Sequence, residues 1–120
     1  MKYYFDRESL LARARTEIKN EEGKLMYWGI YDFSYKWRIR IFDENSLEIG
    51  YVQYRIGNDE HIDLCGAIEN SFTADEMKNI LNDSIMIDEG YLEAEDDELL
   101  EHVYRLFAYA QYLHTTGERQ

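Results

Sequence analysis

The sequence predicts an α+β domain: a four-stranded antiparallel β-meander with one N-terminal and two C-terminal helices packed on one face, in the order α-β-β-β-β-α-α. Three observations carry that prediction. The apolar period changes from about 3.6 to about 2 after the first twenty or so residues, and returns to about 3.6 in the last third of the chain. Runs of turn-forming residues separate the period-2 segments. A capping box marks the return to helix.

Asp6 and Ser9 precede a stripe of Leu10, Leu11, Ala14 and Ile18, with Arg13, Arg15, Glu17 and Lys19 elsewhere on the wheel and Gly23 placed as a stop. This reads as a helix over 7–21. Residues 25–33 are rich in β-favouring types and form the first strand. Residues 36–42 alternate, with Trp37, Ile39 and Ile41 on one face and Lys36, Arg38 and Arg40 on the other. After the turn Asp43-Glu44-Asn45-Ser46, a third strand over 47–56 carries Leu47, Ile49 and Tyr51 in phase. A tight hairpin pairing 41 with 47 and 39 with 49 gathers these apolar groups on one face and sets Arg40 opposite Glu48 on the other.

Gly57-Asn58-Asp59-Glu60 is the next turn, and a fourth strand over 61–68 places Ile62, Leu64 and Ile68 together. Thr73 and Glu76 form the capping box, with Phe72 and Met77 as a hydrophobic staple, so a helix runs from 74 to 83. Gly90 interrupts the chain. The last helix, 93–115, buries Leu99, Val103, Leu106, Ala110 and Leu113, flanked by Leu100 and Phe107, and stops near Gly117.

At 120 residues the length fits one domain, 1–120. A hydrophobic content of 45% excludes a disordered acidic tail. Tyr supplies 11 residues against 5 Phe and 2 Trp, a side chain suited to half-buried sheets and to binding surfaces. Cys65 is the single cysteine, so no internal disulfide forms. With no signal-like stretch at residues 1–6 and no run long enough to span a membrane, a cytoplasmic protein without membrane association is expected.

Charge is placed unevenly. Residues 1–57 carry ten basic and nine acidic side chains; residues 58–120 carry three basic (Lys78, Arg105, Arg119) and sixteen acidic. The densest run is Glu93, Glu95, Asp96, Asp97, Glu98 and Glu101. If these lie on one helix, six charges span roughly 12 Å at the helical rise, about 2 Å per charge. Duplex DNA presents about 1.7 Å per charge. Such a field repels nucleic acid and attracts basic surfaces. The carboxylates at a helix start also oppose the macrodipole, and their crowding predicts modest stabilisation by acid between neutral pH and the carboxylate range.

No catalytic motif stands out. The EF-hand pattern fails, since placing Gly90 at its glycine position puts Ile85 and Ile87 where ligands belong. Glu98 and His102 are four apart on a helix, but two ligands do not make a metal site. His61 and Cys65 stand four apart on a strand, about 13 Å, too far for a thiol–imidazole pair. Lys36, Arg38 and Arg40, with Tyr35 and Trp37 nearby, read as cross-strand ion pairs rather than a nucleic-acid face. No enzyme activity, cofactor, metal or catalytic residue is therefore expected.

In size, charge and compartment the chain resembles two populations of small acidic proteins. One is the phage and mobile-element anti-defence group, anti-restriction and anti-CRISPR proteins, some of them DNA mimics. The other is the cytoplasmic immunity proteins that neutralise nuclease toxins. The likeness transfers no residue roles. Its implication is an inhibitor that occupies a basic, nucleic-acid-binding surface of a target enzyme, with no direct contact to nucleic acid and no stated oligomeric form. The residues expected to meet that partner are Glu93, Asp97, Glu98 and Glu101, with Tyr104, Tyr109 and Tyr112 continuing the polar side of the last helix. A small enzyme or ligand-binding module, with a pocket between sheet and helices, is the remaining class.

Overall fold

Alternation of buried and exposed side chains runs through more of the chain than its periodicity alone suggests. The computed structural model describes residues 1–35, 37–55, 60–81 and 84–116. The strands are β1 (Lys2–Tyr4), β2 (Thr16–Lys19), β3 (Leu25–Asp32), β4 (Arg38–Asp43), β5 (Glu48–Arg55), β6 (His61–Gly66), β7 (Asn70–Thr73), β8 (Ile85–Met86) and β9 (Tyr91–Glu93). The helices are α1 (Arg7–Leu11), α2 (Ala74–Met77) and the long α3 (Leu99–Thr116). The strands form one antiparallel sheet in the order β7-β6-β5-β4-β3-β2-β1-β9-β8. The expected α+β arrangement of a four-stranded meander and three packed helices is thus overturned: the fold is mostly sheet, with one long helix and two short ones.

The corrections have local causes. The helix expected over 7–21 is capped by Asp6, whose side chain accepts from the Glu8 amide at 3.2 Å, but it ends at Leu11. Arg13 takes a left-handed φ of 63° and turns the chain into β2. Within 16–19 a helix would bury Ile18 alone, whereas the strand buries both Thr16 and Ile18 and leaves Glu17 and Lys19 outside. The N-terminal Lys2-Tyr3-Tyr4 is also a strand, with Tyr3 inward, because β9 supplies it with a partner: Tyr3 pairs Leu92 and Lys2 pairs Glu93. The capping box forms as expected, Thr73 N–H donating to Glu76 Oε1 at 2.9 Å and Glu76 N–H to Thr73 Oγ1 at 3.2 Å, but α2 ends at Met77 rather than 83.

The β4–β5 hairpin forms in a different register. Ile39 pairs Val52 and Ile41 pairs Gly50, with a bulge before Phe42 pairs Glu48. An odd shift exchanges the faces of the partner strand. Gly50, Val52 and Tyr54 therefore face inward and Leu47 is left 65% exposed. The cause is a wide turn: Asp43 Oδ1 accepts from the Asn45 and Leu47 amides at 2.8 and 3.0 Å, and Ser46 sits at φ 64°. The bulge returns Glu48 to the face of Arg40, so their ion pair survives at 2.6 Å.

Lys36, the turn at 57–59 and the stop at Gly117 lie outside the described residues. The core lies where α3 covers β4, β5 and β6: Val103, Leu106, Phe107 and Ala110 meet Ile39, Ile41, Val52, Ile62 and Leu64. Phe107 fits because β3 carries a glycine beneath it; a Cβ at Gly29 would sit 2.6 Å from the ring.

Candidate functional site

The acidic run does not lie on one helix. Leu92 and Ala94 point inward and Tyr91 and Glu93 outward, so this stretch takes the strand period and closes on the N-terminus through an Ala94 N–H bond to the Met1 carbonyl at 3.0 Å. Glu93 ends β9, Asp96–Glu98 form a 3-10 turn, and Glu101 is in the first turn of α3. The contour from 93 to 101 is then about 19 Å, combining strand, 3-10 and α rises. That is about 3 Å per charge, near the 3.4 Å of a single phosphate strand rather than the duplex value.

Glu93, Glu95, Asp96, Asp97, Glu98 and Glu101 are all exposed. Among the described residues only Glu101 has an ion-pair partner, Arg105 at 2.9 Å. Lys2, opposite Glu93 in the sheet, places its amine over the Tyr91 ring, 4.5 Å from its centre. Asp96 is tied down by the buried Tyr3 hydroxyl, which donates to it. Burial, that bond and the charges of Asp96, Glu95 and Glu21 push the Tyr3 hydroxyl up to about 12. The strip is thus held by ordered backbone while its carboxylates stay in water.

The tyrosines divide differently. Tyr104 is fully buried and its hydroxyl donates to the Cys65 carbonyl at 2.9 Å and the Ile49 carbonyl at 3.2 Å, anchoring α3 over β5 and β6. Tyr112 is also buried. Neither continues the acidic surface, which corrects the polar side expected of them. Glu101, Arg105, Tyr109 and Leu113 form an open line of the helix at a spacing of four, with Leu100, His102 and Thr115 also partly exposed. Tyr109 is half-buried there, 5.9 Å from Tyr112 between ring centres.

Tyr109 also lines a groove of about 710 Å³ that the sequence reading missed. Its walls are Leu11 of α1, Leu81, the segment 85–87, Tyr109 and Leu113, with Arg7, Asp88 and Glu89 at its polar margin. These residues come from four separate stretches. The one signal in the sequence was the apolar triplet Ile85-Met86-Ile87 just before Gly90, where Gly90 takes φ 78° and closes a turn on Met86 and Ile87.

Other candidates stand as follows. His102 is half-buried with Nδ1 3.2 Å from Ser84 Oγ, and no set of three or more His, Cys, Asp and Glu capable of holding a metal occurs among the described residues. Burial pushes the His102 imidazole below its ordinary value, with Arg105 adding to the effect and Glu101 and Glu98 opposing it. His61 and Cys65 lie on β6 opposite different partners, Arg55 and Tyr51. The open sheet face is tiled by its own side chains. Arg15 lies over Trp28 at 3.8 Å, Trp28 stacks on Phe42 at 4.1 Å, and Arg38 bonds Gln53 Oε1 at 3.0 and 2.7 Å between Tyr35 and Tyr51. Arg55 pairs Asp63 at 2.9 Å. No helix among the described residues is long and apolar enough to cross a membrane.

No protein-family model, curated protein or solved structure matches the chain.

Proposed function

We propose that this chain is a stoichiometric protein inhibitor whose acidic strip occupies a basic, nucleic-acid-binding surface of a target enzyme. The observation that carries the reading is the strip itself: six exposed carboxylates on ordered backbone, of which Glu101 alone is ion-paired among the described residues. Unpaired charges of one sign steer a complementary surface into contact, and the spacing of about 3 Å suits a surface that tracks one phosphate strand. Glu93, Asp97, Glu98 and Glu101 are the contact residues on this reading. Phage anti-defence proteins and toxin-immunity proteins work by this same physics, and the identity of the bound enzyme separates them.

The test starts with tagged protein recovered from its host, where a nucleic-acid enzyme at one-to-one stoichiometry is the expected companion. With that partner in hand, reversing Asp97, Glu98 and Glu101 to Lys should slow association tenfold or more at low ionic strength and much less at high salt. Association that survives those changes but is abolished by Arg38→Glu and Arg40→Glu would place the interface on the open sheet face and refute the proposal.

A further inference from the structure

Charge steers an encounter but does not hold a complex; residence comes from an apolar centre cleared of water. With Tyr104 and Tyr112 buried, the apolar neighbours left to the strip are Tyr4 and Tyr91, an open ring pair on the sheet. The groove beside it offers a concave centre. Leu11, Leu81, Ile85, Ile87 and Leu113 give it apolar walls, and its volume of about 710 Å³ lies within the range of ligand-binding clefts.

Three observations define what fits. The charged margin is Asp88 and Glu89 against Arg7, a net negative rim that disfavours an anionic ligand. Arg7 crosses from α1 to Asp88, Nε to Oδ1 at 3.3 Å, so a guanidinium already stands at the mouth on a carboxylate whose side chain is 92% exposed. A pair that open to solvent exchanges readily. Finally, one line of α3 joins the groove to the strip. The open line of α3 runs from Glu101 through Arg105 to Tyr109 and Leu113, about 12 Å from Glu101 to Tyr109 at the helical rise.

We infer that the groove receives an apolar anchor side chain from a basic amphipathic protein segment, whose flanking Lys or Arg meet Asp88 and Glu89 in place of Arg7. This rests on the reading of a basic protein partner and names the second half of its interface. The strip speeds arrival, and the groove slows departure.

The experiment uses the full chain with isotope-labelled Ile and Leu methyl groups and four probes. One is a twelve-residue peptide of Leu and Phe flanked by Lys and Arg. The second has the same apolar residues flanked by Glu, and the third has the basic residues with Ser in place of Leu and Phe. The fourth is a medium-chain fatty acid. Expected is saturable movement of the Leu11, Ile85, Ile87 and Leu113 methyls with the first peptide, at least tenfold tighter than with the third, and none with the second or fourth. Asp88→Lys with Glu89→Lys should weaken the first peptide at least tenfold. The same charge change at Glu22 and Asp75, which do not line the groove, should weaken it less than threefold. Equal binding of the second peptide or of the fatty acid, equal effects of the two double variants, or unmoved groove methyls would overturn the inference. If the basic peptides move the amides of 93–101 and leave the groove methyls still, the groove assignment fails and the acidic-strip reading stands. If the groove binds as expected but reversal of Asp97, Glu98 and Glu101 leaves partner association unchanged, the reverse holds.

Discussion

Replacing Gly29 with Ala tests the seat of α3 on the sheet. The added Cβ would lie 2.6, 2.7 and 2.9 Å from Cζ, Cε1 and Cε2 of Phe107, where carbon–carbon contact is comfortable at about 3.5–4.0 Å. The ring must therefore rise by about 1 Å, and it is itself buried under neighbours that do not yield. Overpacking of this kind costs about 1–3 kcal/mol. Against it stands about 0.4–1 kcal/mol from restricting the unfolded chain at a former glycine. The net loss expected is about 1–2 kcal/mol. With a urea m-value of about 2 kcal/mol/M, the midpoint falls by about 0.5–1 M at unchanged slope. Phe107→Leu shortens the ring and should rescue Gly29→Ala, with a coupling of about 1 kcal/mol in the double-mutant cycle. A neutral Gly29→Ala, or strictly additive single changes, would mean that Phe107 does not rest on residue 29.

Two further outcomes are expected. Tyr104→Phe removes the donor to the Cys65 and Ile49 carbonyls; the latter keeps its bond from the Ala67 amide, so the cost is about 1–2 kcal/mol, read as a shift in denaturant midpoint. Stability should fall on acidification in two stages, opposite in sign to the expectation from carboxylate crowding alone. A His102 held below its ordinary 6.5 contributes stability that is complete above 6.5 and is lost as pH falls toward the folded value. Asp63, lowered from 3.8 by Arg55 and Ser71 against its own burial, contributes stability that is lost below 3.8 as pH falls through its folded value. Thermal melts across this range check both stages, and His102→Gln should flatten the first.

Legibility followed the range of the interactions. The Thr73–Glu76 capping box needs only four consecutive residues, and both of its bonds are in place. The inward stripe of α3 repeats over about three turns, where Leu99, Val103, Leu106 and Ala110 are buried as their spacing predicts; Leu113, expected to continue it, is partly exposed instead. By contrast, β1 and β9 are three residues each and complete one another's hydrogen bonding from about ninety positions away, while the two-residue β8 pairs only with β9 at the sheet edge. No window of sequence carries that information, and the acidic helix start was misread because Leu92 and Ala94 fit a strand only once β1 lies beside them. The same holds for the candidate site. Exposure of the carboxylates followed from their chemistry. The inward turn of Tyr104 depended on carbonyls of Ile49 and Cys65, and the groove on segments that meet only in the folded chain.

The pairing of β1 with β9 also sets the order in which this chain can fold. Tyr3 must wait for Leu92, and the Met1 carbonyl for the Ala94 amide, contacts about ninety positions apart. During synthesis the hairpins from β2 to β7 emerge first, but the helix that covers their apolar face comes from residues 99–116. Until it arrives, Ile39, Ile41, Val52, Ile62 and Leu64 have only each other. Contacts this non-local place the chain toward the slow end of small-domain folding. Its refolding from denaturant should therefore take milliseconds to seconds rather than microseconds. Nascent chains stopped before residue 99 should be protease-sensitive throughout, with protection appearing in one step once α3 is free to dock.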